Sequence, residues 1–182
     1  DGKNQDSDYL GDDRTREYSR SDNSADDGRV WDASAGLGYQ FNLTDRFKLI
    51  PLVGYAYSRQ NLTMTDGFQT LSKPPQTQPV GPIENLDSTY DTKWYGPWVG
   101  LDMALKADEK LTLFAGLEYH WATYEGEADW NLIPRFAHPR SFVHDARGRG
   151  IRISGGGEVV FSAPWSLGLE FVYRDWSTEP GR

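Results

Sequence analysis

From Leu111 the odd positions read Leu111, Leu113, Ala115, Leu117, Tyr119 and Trp121, and the even ones read Thr112, Phe114, Gly116, Glu118, His120 and Ala122. Successive side chains of a strand point to opposite faces, so this is one apolar face and one small or polar face held over about a dozen residues. That length exceeds an ordinary half-buried strand and suits a tilted strand crossing a bilayer. The period returns from Trp31 to Phe41, from Tyr95 to Leu105 and from Trp165 to Tyr173. It predicts strands at 29–41, 46–65, 89–106, 111–129, 141–161 and 165–177.

A soluble sandwich would turn the apolar face inward, whereas an outer-membrane barrel turns it to lipid and lines its lumen with the polar face. The residues favour the barrel. Aromatics gather near strand ends, where interfacial girdles form. Glycines recur inside strands, where they weaken a soluble sheet but admit large neighbours such as Trp94 and Trp98. Charges recur at mid-strand on the polar side, and Glu118, His120, Asp102, Arg152, Glu170 and Arg174 are expected to pair as a network across the lumen. Together with Trp94, Trp98 and Phe114, they are expected to fill a narrow interior. The fold class is therefore all-β, an antiparallel up-and-down transmembrane β-barrel of which this chain carries about six strands.

The connections sharpen that picture. Short turns at 42–45, 107–110 and 162–164 alternate with longer stretches, the asymmetry of bacterial outer-membrane barrels with their long loops extracellular. Residues 1–28, rich in Asp, Ser, Asn and Gly with almost no aliphatic content, read as an acidic extracellular loop. Residues 66–88, with Pro74, Pro75, Pro79 and Pro82, read as a Pro-rich extracellular loop. No linker divides the 182 residues, which are expected to form a single outer-membrane β-barrel domain, and an incomplete one, since six strands would leave two edges unpaired in lipid. The C-terminal "STEPGR" also lacks an apolar, aromatic-ended closing strand.

Composition then removes function classes. The chain has no cysteine, which excludes disulfides, thiolate catalysis and Cys-based metal sites. A net charge of -8 argues against a nucleic-acid partner. The run "DNSADDG" (22–28) is only faintly calcium-loop-like: its Gly comes one place late and Ala33 stands where the closing Glu belongs. No metal site and no cofactor are expected.

Three stretches, "PLVGYAYSRQNLTMTDG" (51–67), "YDTKWYGPWVGLDM" (90–103) and "EYHWATYEGEADWN" (118–131), resemble the omptins, ten-stranded outer-membrane barrels that act as endopeptidases. The resemblance covers most of the chain and implies the same fold and a bacterial outer-membrane location. It also implies a water activated between an Asp pair and an Asp-x-His motif on the opposite rim, with carboxylates orienting the water and the imidazole moving the proton. "DSD" gives the pair Asp6 and Asp8, and the opposite motif begins at Asp129. Its third position is Asn131 in place of His, and an amide exchanges no proton near neutral pH. Strict alternation from Leu111 also turns Asp129 to the outer face. His138 lies in the loop that follows and His144 at the start of the next strand.

The resemblance further implies a lipopolysaccharide-binding set on the outer wall, matched here by Tyr55, Arg59 and Lys93, with His144 near a further basic position. Parity alone supports it: Arg59 shares the outward row of Val53 and Tyr55, and Lys93 that of Tyr95 and Val99. The expected partners are outer-membrane lipids, lipopolysaccharide as a bound lipid and, if a cleft works on one, a cationic peptide. Asn131 favours a non-catalytic surface barrel with an acidic outer cleft. The alternative is an endopeptidase using Asp6, Asp8 and Asp129 with another proton acceptor.

Overall fold

Alternation of apolar and small residues gives strands throughout the computed structural model, which describes residues 2–25, 27–76 and 78–179. Asp1, Asp26, Thr77 and the last three residues of "STEPGR" lie outside the described residues. Ten strands are present among the described residues: β1 (Lys3–Gly11), β2 (Thr15–Ser24), β3 (Arg29–Gly38), β4 (Phe41–Asn42), β5 (Phe47–Ser72), β6 (Gly81–Ile83), β7 (Ser88–Lys106), β8 (Leu111–Asp129), β9 (Phe142–Ser162) and β10 (Trp165–Thr178). They hydrogen-bond in the order β1-β2-β5-β7-β8-β9-β10, with β3, β4 and β6 also paired to β5. The tight turns are made by side chains. The Asp108 carboxylate accepts from the backbone N–H of Lys110 and Leu111 at 2.7 and 2.9 Å, and the Thr44 hydroxyl accepts from Phe47 at 2.9 Å.

The chain divides into two compact units. The first, here the belt unit, comprises Asp32–Ser58, Lys93–Glu125 and Asp145–Arg182. Its apolar face is the exposed one: Leu37 is 82% exposed, Leu167 71% and Phe171 71%, with Val53, Leu117, Trp121 and Ile153 beside them in the same pattern. On β7, β8 and β9 the opposite face is covered, and holds Trp98 and His120 at 6%, while β3 and β10 are exposed on both faces. A protein folded for water does not leave so extensive an apolar surface bare while covering its polar one. Glycine makes the covered face possible. The Trp98 ring lies on Gly36 and Gly54, where an added Cβ would come within 2.8 and 2.5 Å of it, and its indole N–H donates to Ser34 Oγ at 3.0 Å.

The second, the loop unit, comprises Asp1–Trp31, Arg59–Thr92 and Gly126–His144. Where the sequence suggests an acidic loop over 1–28, β1 and β2 form an antiparallel hairpin from Lys3↔Ser24 to Gly11↔Thr15. Where it suggests a Pro-rich loop from residue 66, β5 runs on to Ser72 and pairs with β2 and β6. The reason is that this unit buries polar side chains. Ser19, Ser21, Asn23 and Gln69 are all under 9% exposed, Gln69 donates to Ser19 at 3.0 Å and Asn23 to Ser21 at 3.1 Å. A face linked by hydrogen bonds rather than filled by hydrophobic contact leaves no hydropathy signal. A bulge also interrupts the period: between Ser24↔Thr65 and Asp22↔Phe68, Asn23 faces Asp66 and Gly67, and Asp66 takes φ 49°.

Candidate functional site

In the loop unit, β8 ends at Asp129 with its parity intact, Gly126 and Ala128 buried on the covered face and Asp129 on the other. The residues that follow bend back over it. His138 Nδ1 lies 2.6 Å from Asp129 Oδ1, and Ser141 Oγ, which accepts from the Trp130 backbone N–H at 2.8 Å, lies 3.5 Å from the same oxygen. An ionised carboxylate only accepts, so in this contact Nδ1 is the donor. This Asp–imidazole pair is the feature that sequence reasoning most nearly missed. Its cue was the place of His138 in the loop after the motif, and nothing in the spacing specifies the contact.

Asn131 does different work. Its Oδ1 accepts from the Asp87 backbone N–H at 3.0 Å and from Ser88 Oγ at 3.1 Å, and its Nδ2 donates to the Asn85 carbonyl at 2.8 Å. Both ends of the amide are thus committed to the 85–88 segment.

Asp6 and Asp8 lie on one face of β1, opposite Ser21 and Ser19 of β2. Burial, then the neighbouring charge of Asp8, pushes the Asp6 carboxyl above its ordinary value, against a smaller opposing hydrogen bond from the Ser7 backbone.

In the belt unit, five of the six interior residues named from the sequence come together. Arg152 reaches Glu118 at 2.9 Å and Glu170 at 3.4 Å, Glu118 holds His120 Nε2 at 2.9 Å, and Asp102 stands within electrostatic reach of Glu118, Arg152 and Glu170. Arg174, the cross-strand neighbour of Arg152, has no ion pair among the described residues. The His120 ring is enclosed by Trp98 and Trp176, with centroids at 5.9 and 5.0 Å. These contacts fix side chains against each other and present no open nucleophile.

Of the outer-wall cations, Arg59 is taken by Asp91, its Nε at 3.0 Å from both carboxylate oxygens. Tyr55 is exposed in the apolar row, Lys93 is half-buried, and His144 packs its ring against Phe142 at 4.9 Å.

The family model described as Pom, Protochlamydia outer membrane protein, matches residues 1–181. The chain belongs to this family. The Pom chain is also similar to a solved structure, the crystal structure of outer membrane protease OmpT from Escherichia coli, at 13% identity and a TM-score of 0.72. That match covers 97% of this chain and 62% of OmpT, so the Pom chain spans under two thirds of that protein's length. No curated protein matches it. Family and fold together make this an outer-membrane β-barrel protein in a lipid environment, with the exposed apolar face of the belt unit toward lipid. At 13% identity the likeness carries the fold and nothing of OmpT's chemistry.

Proposed function

We propose that this chain is a non-catalytic surface barrel of the bacterial outer membrane, whose long connections face the outside and bind rather than cleave. The observation that carries the reading is the amide of Asn131. The position where the omptin resemblance calls for a proton-exchanging imidazole holds a side chain spent on hydrogen bonds to Asp87, Ser88 and Asn85. Such a group takes no proton near neutral pH. Losing a general base ordinarily removes about 10² to 10⁴ in rate. The acids Asp6, Asp8 and Asp129 then serve as an anionic outer surface suited to cationic partners. Lipopolysaccharide is a reasonable neighbour for Tyr55 and Lys93, with Arg59 partly neutralised by Asp91.

A second reading rests on one contact. His138, held by Asp129 at 2.6 Å, supplies an oriented imidazole from the loop, and with Asp6 and Asp8 would make an endopeptidase that has moved its base. Cleavage of a quenched dibasic peptide by the full-length protein refolded with lipopolysaccharide separates the two. We expect no turnover by wild type and none by Asn131→His. Turnover that is abolished by both His138→Ala and Asp6→Ala would replace the first reading with the second.

A further inference from the structure

Beyond Asp129 the chain loops out and returns alongside the strand it has left. The Trp130 carbonyl accepts from the Ile133 backbone N–H at 3.0 Å and the Ile133 carbonyl from that of Phe136 at 3.0 Å, and the Ser141 N–H closes the base on the Ala128 carbonyl at 2.7 Å. The returning chain thus sets its cations opposite the last two acids of β8: His138 on Asp129 at 2.6 Å and Arg140 on Glu127 at 3.2 Å. Arg135 lies over the Phe136 ring at 5.3 Å and forms no ion pair among the described residues. The stretch "RFAHPR" (135–140) therefore spends two of its three basic side chains on the acids beside it.

We propose that His138 and Arg140 mask the acidic end of β8, and that a cationic partner gains Glu127 and Asp129 only by displacing them. The inference rests on the reading of the chain as a non-catalytic barrel that binds through its acids, and it gives that surface an internal competitor. Exposure sets how the mask works. The Arg140 side chain is 66% exposed and that of Glu127 36%, with His138 at 38% and Asp129 at 23%. Ion pairs so open to solvent are weak and screened by salt. A partner offering several cations at once outcompetes two half-solvated side chains, whereas a single cation gains no more than it displaces. Displacement is also local. The base of the loop is held by backbone atoms and by Ser141 Oγ on the Trp130 N–H, so both side chains can swing into water with the turn unbroken. The mask turns an open acidic surface into one that answers to multivalent partners.

The test is fluorescence anisotropy of fluorescein-labelled tetralysine with the full-length protein in dodecylmaltoside micelles, at roughly 0.15 M salt, where distant surface charges are largely screened. His138→Gln combined with Arg140→Gln is expected to bind tetralysine about fivefold more tightly than wild type, the gain when a competent state rises from roughly one fifth of the population to all of it. Arg14→Gln combined with Arg135→Gln removes at least as much positive charge from positions without an ion pair among the described residues. That control should stay within about twofold of wild type. His138→Arg combined with Arg140→Lys, which keeps both cations, should bind like wild type, and Glu127→Gln combined with Asp129→Asn should lose binding. An unchanged affinity in the cation-free variant overturns the mask alone, as does an equal gain in the charge control or a gain in the cation-keeping one. If the acid-free variant binds as well as wild type, or wild type cleaves the peptide, the underlying reading fails and the mask falls with it.

Discussion

Three hydrogen bonds converge on the amide of Asn131, and each joins the 130s to the 85–88 segment. Replacing it with Ala strands the Asp87 N–H and the Asn85 carbonyl at a half-exposed site, for which about 1–3 kcal/mol is the usual loss. Asn131→Ala should therefore lower the melting temperature and expose residues 85–88 to limited proteolysis, with wild-type digestion rates counting against the staple. Asp6 gives a pH-dependent counterpart. Its carboxyl is held above the ordinary value of 3.8, so the fold prefers it protonated. The stability this preference contributes is present below the ordinary value and is lost as pH rises through the raised one. Asp6→Asn should melt higher than wild type at neutral pH, the gap closing as pH falls toward 4, roughly the unperturbed aspartate range. An equal gap at both pH values would mean the carboxyl is unperturbed. At this scale the sequence showed which residues matter but not what they touch. Asn131 stood out as a departure from a motif, yet its partners lie more than forty positions earlier, and no local rule connects them.

Among the elements, legibility followed the chemistry of the covered face. β8 was expected at 111–129 and spans Leu111–Asp129, and β7, β9 and β10 agree with expectation to within a residue at either end. All four set aliphatic or aromatic residues against Gly, Ser and charge. β1 and β2 were read as loop, and β6 and the far end of β5 fell in the stretch read as Pro-rich loop. In this unit the inward positions are Ser, Asn and Gln, whose fit depends on hydrogen-bond partners in other strands. The glycines were legible as room for large neighbours, and Trp98 occupies that room. Gly54→Val should push Trp98 off its seat and cost about 1–3 kcal/mol, the common range for an overfilled interior. Urea unfolding of the reconstituted protein reads this directly, and a midpoint equal to wild type would show that the ring has another place to go. Asp108→Ala should weaken the β7–β8 turn, because two backbone N–H groups lose their acceptor. Slower refolding into vesicles is the expected sign.

Taken whole, the molecule is recognisable by the apolar rows it leaves bare. Leu169, 62% exposed, stands midway along the apolar row of β10. In water an arginine there would be harmless, but facing hydrocarbon it costs about 2–4 kcal/mol. Leu169→Arg should therefore reduce the yield of protein inserted into phosphatidylcholine vesicles, while Ser166→Arg, on the opposite face, should not. Equal yields would argue against lipid contact at β10. The fold was legible at this scale because a bilayer imposes a period of two over many residues at once; the identity of the partner was not, because recognition depends on a few side chains brought together by distant strands. The two units also differ in what their folding conceals from solvent. Exposing apolar surface raises the heat capacity on unfolding, and exposing polar surface lowers it. The interior of Ser19, Ser21, Asn23 and Gln69 should thus give the loop unit a small calorimetric step and a stability curve that is nearly flat with temperature. Warming a cell would change its grip on a partner far less than it would that of an oily surface.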